Sequence, residues 1–269
     1  MRFDYVALDL DGTMLDDEKK VPADNIKAIL HLYTKGVCFI ICTNRNIMEV
    51  HSMVPSAITD IVSYFVCRDG LYIYDNEKKL KEFNLLRATD IGAIISALQI
   101  SPLYCIGSKR HYYVFASLLQ LIKTLIKRGK DYKGIPTTTV FFSKLLRHQF
   151  EKVMLFQNVG VAPENIAKIK DKYVVNYINN TDYDILQHGI NKYNALLWLS
   201  QNRGLDLDKM LYFGDDNNDE YCFSQLKHVV VMGNASPDLK KYSSIENVAT
   251  NNEAGVYWCL LHFFNLDIS

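Results

Sequence analysis

Apolar and polar positions along this chain follow two rhythms. Short apolar runs at residues 5–8, 37–42 and 210–213, and one at 61–66 broken only by Ser63, predict buried strands. Between the first two, Ile26, Ile29, Leu30 and Tyr33 recur at helical spacing over residues 22–35, with Pro22 near the start. A further strand is expected at 71–74, after the turn dipeptide Asp69-Gly70. Lys192 opens a helical pattern at 194–201. This strand–helix alternation predicts an α/β fold built on a doubly wound, Rossmann-like parallel sheet. The rhythm breaks near Asn76-Glu77-Lys78-Lys79, a polar stretch that reads as a hinge. Beyond it, helical runs (90–98 and 113–127) mix with strand-like ones (153–156 and 173–177), and the first rhythm resumes near Gln187-His188-Gly189. The expected organisation is a core from residues 1–79 and 187–269, with an α/β domain of residues 80–186 inserted into it.

Composition narrows the function classes. At 269 residues the chain suits one large or two ordinary domains, and 49% hydrophobic residues suffice for a sizeable core. A formal net charge of zero gives no overall attraction to nucleic acid or membrane. No apolar run is long enough to span a bilayer. The early Asp4, Asp9 and Asp11 do not fit a signal peptide, so a cytoplasmic location is expected. Charge is uneven along the chain. Residues 80–186 carry fifteen Lys/Arg against eight Asp/Glu, an excess of about +7, which suits an anionic small-molecule partner. Lys123, Lys127, Arg128 and Lys130 read instead as a solvated helix face. The six cysteines show neither zinc spacing nor a disulfide framework and read as small buried hydrophobes. His111 and His148 read as packing or surface groups. Nothing in the sequence sets an oligomeric state.

Candidate chemistry starts at Asp9-Leu10-Asp11-Gly12-Thr13, at the end of the first apolar run. Two carboxylates at the tip of a buried strand are costly to desolvate unless a cation balances them. Mg²⁺ with a phosphate group would supply that balance. Further polar clusters fall after other predicted strands or at a helix start: Thr43-Asn44-Arg45, Lys192, and Gly214-Asp215-Asp216-Asn217-Asn218-Asp219. In open parallel sheets that edge is where ligands bind.

With these residues the chain resembles haloacid dehalogenase superfamily phosphatases, of the Cof-like branch with a large α/β cap. Asp9 to Thr13 match the first motif, Thr43 the second, Lys192 the third, and Gly214-Asp215 with Asn218-Asp219 the fourth. The run Val231 to Ala235 with Pro237 and Lys240, and Asn252 to Val256, match the branch as well. The resemblance implies hydrolysis of small phosphorylated metabolites, sugar phosphates above all, through an aspartyl-phosphate. It implies Asp9 as nucleophile, since a carboxylate needs no base to activate it. Asp11 would be the general acid–base, for which its pKa must rise. Thr43, Asn44 and Lys192 would bind the phosphoryl group. Asp9, the Asp11 carbonyl and Asp215 would hold Mg²⁺, with Asn218 and Asp219 around them. A leaving-group acid at Asp11 favours ester over halide chemistry. A phosphomutase on the same core and a non-catalytic phosphometabolite-binding regulator are the alternatives. For the leaving group, Tyr104, Tyr112, Tyr113, Tyr183, Lys109 and Arg110 are candidates, each with a structural role as the simpler reading.

The chain departs from the branch twice. Asn44 stands where the second motif usually has glycine; asparagine tolerates left-handed backbone and could keep the turn. Asp69 stands where asparagine is usual, and would add negative charge if it pointed inward.

Overall fold

The computed structural model describes residues 3–99, 103–107, 111–115, 137–141, 148–155, 161, 163–178, 182–246 and 248–266. In chain order the strands are β1 (Tyr5–Leu8), β2 (Cys38–Cys42), β3 (Val62–Cys67), β4 (Tyr72–Asp75) and β5 (Lys78–Glu82). There follow β6 (Leu86–Arg87), β7 (Leu103–Ile106), β8 (His111–Phe115), β9 (Thr137–Phe141), β10 (Gln149–Phe150) and β11 (Lys152–Leu155). The last are β12 (Tyr173–Ile178), β13 (Asp182–Gln187), β14 (Met210–Gly214) and β15 (Val229–Val231). The chain divides into two compact units, Met1–Phe83 with Asn191–Ser269, and Asn84–Ile190.

The first unit is a seven-stranded sheet ordered β15-β14-β1-β2-β3-β4-β5. The five strands from β15 to β3 run parallel, while β4 and β5 are antiparallel. Helices cover it, so its central strands are buried throughout and their sequences are continuous apolar runs instead of alternating ones. The helix Lys192–Arg203 buries Ala195, Leu196 and Leu199 in the cluster that holds Ala7, Ile40, Val66 and Tyr212. Strand order reverses at β1, with β2 and β3 on one side and β14 and β15 on the other. Loops leaving the carboxyl ends of β1, β2 and β14 therefore converge on one crevice.

The expected helix at 22–35 forms as Ala23–Thr34, but its buried face is Asn25, Ala28, Ile29 and Leu32. Tyr33 is exposed. Asn25 can face inward because both ends of its amide are paired: it donates to the Met14 carbonyl (3.3 Å) and accepts from the Tyr257 N–H (2.9 Å). The hinge expected at 76–79 is instead a hairpin turn. Asn76 takes a left-handed φ of 51°, and Lys78 begins the edge strand β5. Lysine-rich edges of this kind are ordinary protection for a strand with an unpaired side.

The second unit is a six-stranded sheet ordered β12-β13-β11-β7-β8-β9, antiparallel except for β8 with β9. The helix Ala88–Leu98 places Ile91, Ile94 and Leu98 against Phe150, Val153 and Ile185. Each such side chain contributes about 1.5–3 kcal/mol on full burial. Lys152 on β11 and Asp184 on β13 form a buried ion pair. The helix expected from residue 113 is a strand at its start: Tyr113, Val114 and Phe115 belong to β8, paired with β7 and β9. Aromatic and β-branched residues fit a pleated surface, and here pairing on both sides overrides the helical spacing. Residues 116–127, including Lys123 and Lys127, lie outside the described residues, as do Lys109, Arg110, Arg128 and Lys130 and the side chains of Tyr104, His111, Tyr112 and Tyr113. His148 stacks on Phe150, and Tyr183 lies against Tyr177. All six cysteines are free thiols; five are buried, and the half-buried Cys38 contacts the Ser63 hydroxyl. No helix among the described residues is long and apolar enough to cross a membrane.

Candidate active site

Backbone pairing carries the polar residues to the crevice. The Asp9 N–H continues the parallel ladder by donating to the Phe213 carbonyl (3.0 Å), one residue past β1. Thr43 does the same past β2, donating to the Val66 carbonyl (2.8 Å). Asp215 directly follows β14, and Lys192 is the first residue of its helix, capped by the Asn191 side chain. Two glycines set the depth. A Cβ on Gly70 would lie 2.2 Å from the Asn191 carbonyl oxygen, so only glycine lets the β3–β4 turn meet the start of that helix. Gly12, at φ +77°, lies so near Asp215 that a Cβ would reach Oδ2 at 2.1 Å.

A buried charge cluster results. The Lys192 ammonium donates to Asp9 Oδ1 and to Asp219 Oδ1, each at 2.7 Å, and is completely buried. An ammonium has three donors, which leaves one uncommitted. Asp219 is the hub. Its Oδ1 also accepts from the Tyr212 hydroxyl (2.5 Å), and its Oδ2 accepts from the backbone N–H groups of Asp215 (3.0 Å) and Asp216 (3.2 Å). Burial works against the Lys192 charge, but Asp219, Asp9 and Asp69 outweigh it and hold its pKa well above the lysine range. Tyr212 stays protonated for a related reason, since burial and then the Asp219 charge push its pKa well up.

Asp9, Asp215 and Asp219 each offer a carboxylate oxygen, all within 4.8 Å of one another, and could hold a metal ion. Asp219 already accepts four hydrogen bonds, so Asp9 and Asp215 have the greater capacity for a cation. The Asp215 oxygens are oriented by Thr13 Oγ1 (3.0 Å to Oδ1) and Asn234 Nδ2 (3.2 Å to Oδ2). Burial, followed by the Asp219 charge, pushes the Asp215 carboxyl up to about 7. Asp9 is raised well above the usual range; burial dominates, Lys192 opposes it, and Asp219 and Asp215 add to it. With Lys192 the cation in direct contact, this oxygen-rich set is short of positive charge and fits a hard divalent ion.

Asp11 does not meet the expectation of a raised pKa. Its carboxylate accepts a two-pronged contact from Arg45, Nε to Oδ2 at 2.6 Å and Nη2 to Oδ1 at 2.8 Å, and a third bond from Lys19 Nζ at 2.8 Å. Burial raises the carboxyl, yet these hydrogen bonds and charges prevail and the pKa is lowered. Forked guanidinium–carboxylate contacts are strong and favour the charged form. The neighbouring carboxylates, invoked from sequence as the cause of a rise, are not what Asp11 touches.

Thr43 is buried, and its Oγ1 accepts from the Arg45 N–H (3.2 Å), which leaves the hydroxyl proton for another acceptor. Asn44 does not use a left-handed turn; its carbonyl accepts from Arg68 Nη1 at 3.4 Å. The left-handed residues are Arg68 and Asp69, at φ 52° and 54°, followed by Gly70 at 98°. The Arg68 and Asp69 N–H groups bond the Arg45 and Thr43 carbonyls (3.1 and 3.0 Å), so the turn beside the second motif is held from β3 without a special conformation at residue 44. Asp69 does point inward: it is 1% exposed and accepts from Asn218 Nδ2 at 2.9 Å.

Sequence reasoning missed Lys19 and Tyr212 as members of this constellation, and treated Thr13, Arg45 and Asn234 only as parts of matching motifs. Arg45 had a local signal, two residues after Thr43. Tyr212 had none, because a tyrosine in an apolar strand reads as core. Asn234 approaches from far along the chain, donating to both the Gly12 carbonyl (2.8 Å) and Asp215.

Known proteins share this architecture. The family model for haloacid dehalogenase-like hydrolases matches residues 6–260. The chain is 25% identical over 260 residues to 5-amino-6-(5-phospho-D-ribitylamino)uracil phosphatase YcsE of Bacillus subtilis, covering 96% of this chain and 94% of the relative. It is 22% identical over 253 residues to HMP-PP phosphatase of Serratia proteamaculans, covering 87% and 85%. Among solved structures, the HAD subclass IIB sugar phosphatase BT4131 superposes with a TM-score of 0.74 at 18% identity, over 98% of this chain and all of that one. A haloacid dehalogenase-like hydrolase from B. subtilis superposes with a TM-score of 0.72 at 19% identity, over 96% and 99%. The chain belongs to the haloacid dehalogenase-like hydrolases and is an enzyme of their Cof-like phosphatase branch.

Proposed function

We propose that this enzyme is a Mg²⁺-dependent phosphatase of small phosphorylated metabolites, working through an aspartyl-phosphate on Asp9. The observation that carries the reading is the buried Asp9 carboxylate held by Lys192 beside the oriented Asp215. In this reading an Asp9 oxygen attacks phosphorus, and the bond from phosphorus to the leaving oxygen breaks. Water then attacks phosphorus and gives its proton to Asp11, the bond to Asp9 breaks and inorganic phosphate leaves. The free Lys192 donor and the Thr43 hydroxyl bind phosphoryl oxygens, with the Asn44 loop beside them. Asp9, the Asp11 carbonyl and Asp215 would hold Mg²⁺, with Asn218 and Asp219 supporting them. A bound Mg²⁺ supplies electrostatic stabilisation of charge on the phosphoryl oxygens. Asp11 gives the leaving oxygen its proton, which requires that Arg45 and Lys19 first release the carboxylate. Sugar phosphates and phosphorylated ribityl compounds are the favoured substrate class, since relatives are named for such substrates. Residues 80–186, with their basic excess, carry the choice within that class. A cytoplasmic setting suits the six free thiols. The test is phosphate release from p-nitrophenyl phosphate and a panel of sugar phosphates, with Mg²⁺ and with chelator. No release from any ester under either condition would defeat the proposal.

Two further expectations arise here. Asn234→Ala removes one of the two donors that orient Asp215, and should weaken Mg²⁺ binding by roughly 10–100-fold, the usual effect of losing such a partner. Calorimetric titration checks this, and an unchanged dissociation constant would remove Asn234 from the site. The second concerns pH. Between the ordinary carboxyl value of 3.8 and about 7, folded metal-free protein keeps a proton on Asp215 that the unfolded chain releases. Its stability therefore falls as pH rises through that window. Mg²⁺ replaces the proton, so thermal stabilisation by Mg²⁺ should be larger at about pH 8 than at about pH 5.5. Equal shifts at both would refute it.

A further inference from the structure

Asn218 is a buried side chain with half of its amide in use. It is 9% exposed, and its nitrogen donates to Asp69 Oδ1 at 2.9 Å. Its carbonyl oxygen Oδ1 is buried and receives no hydrogen bond from any described residue. A buried amide oxygen is costly to leave unpaired, and a carboxamide can ordinarily turn over to exchange its two ends. Here it is held one way round. An ionised carboxylate only accepts, so only the nitrogen end of Asn218 can face Asp69. The charge on Asp69 is supported by the buried Lys192 ammonium, whose electrostatic partners include it. Asp69 itself is fixed by its left-handed backbone and by its N–H bond to the Thr43 carbonyl (3.0 Å).

Asn218 shares the short turn Asn217–Asp219 with Asp219, one of the three clustered carboxylates. The unpaired, buried Asn218 Oδ1 requires a donor, and a hydrated Mg²⁺ brings one, because the ion retains several waters when bound. We propose that Asp69 is a positioning residue that locks the Asn218 amide, so that Asn218 Oδ1 is presented as an acceptor to a water on the cation. The inference rests on the Mg²⁺ reading above. Asp69 thereby contributes in two separable ways, through its charge and through the orientation it imposes on Asn218.

The test is a double-mutant cycle in Mg²⁺ affinity, measured by calorimetric titration without any phosphate ester, on wild type, Asp69→Asn, Asn218→Ala and the double variant. Asparagine accepts left-handed backbone, so Asp69→Asn retains the turn. The charge removed is the same in both backgrounds and cancels in the cycle. Asp69→Asn is expected to weaken Mg²⁺ binding about tenfold more when Asn218 is present than when it is alanine. The same fold-loss in both backgrounds would overturn the proposal while leaving the phosphatase reading intact. Failure of the wild-type protein to bind Mg²⁺ would overturn both.

Discussion

Asp9→Asn should abolish phosphate release, lowering turnover by on the order of 10⁴-fold or more, while leaving the protein folded. The substitution removes a negative oxygen but keeps an oxygen where Oδ1 lies. The amide oxygen that replaces it can still accept from Lys192, so the Lys192–Asp219–Tyr212 contacts remain intact. A loss of rate is then chemical and not structural. An amide oxygen is a poor nucleophile toward phosphorus, and uncatalysed monoester hydrolysis is so slow that no alternative path within the site compensates. Two measurements check it. Steady-state phosphate release at saturating Mg²⁺ gives the rate, and acid quenching with a ³²P-labelled ester reports protein-bound phosphate in wild type alone. Retention of even a few per cent of wild-type turnover would remove Asp9 from the nucleophile's role.

Asp219→Ala should be the most destabilising single change in the site, by roughly 3–5 kcal/mol, the range for breaking a buried ion pair from one side. The carboxylate is fully buried and accepts from Lys192, Tyr212 and two backbone N–H groups. Truncation leaves a hydroxyl, two amide protons and part of an ammonium without these partners. It also frees the segment from Asp215 to Asn218. Activity should fall with stability, because Asp215 loses the backbone anchor that fixes its direction. A near-neutral effect is excluded by this geometry, in contrast with an exposed carboxylate such as Glu18, whose pairing with Lys20 contributes little. Urea unfolding of the metal-free proteins decides the matter. A cost below about 1 kcal/mol would show that Asp219 is not the organising group.

The site residues divide by how local their signal is. Asp9, Thr43, Lys192 and Asp215 are legible because each sits at a strand end or helix start, where an apolar run gives way to polar residues. Buried strands of a parallel sheet must read as such runs, so their ends can be found from composition alone. The same argument made the α/β alternation legible and the inserted segment conspicuous. Local rules failed where a partner outside the local pattern decides the outcome. The turn at Asn76 looked like a hinge, since polarity cannot distinguish a linker from a hairpin closing an edge strand. Tyr113 to Phe115 looked helical until pairing with β7 and β9 took precedence.

Electrostatics shows the same division more sharply. By itself the sequence determined which charged groups the chain carries and at which element ends they lie. It also determined, through its apolar runs and turn residues, that a parallel sheet with a crevice would form. Only the tertiary structure decided which charges meet. Asp11 finds Arg45 and Lys19 instead of another carboxylate, which reverses its expected shift. Asn234 reaches Asp215 and Gly12, and Asp69 reaches Asn218, across long stretches of chain. The reason is range: apolar patterning acts over neighbouring residues and survives small errors of placement, whereas a hydrogen bond or ion pair depends on tenths of an ångström between groups that only the folded chain brings together.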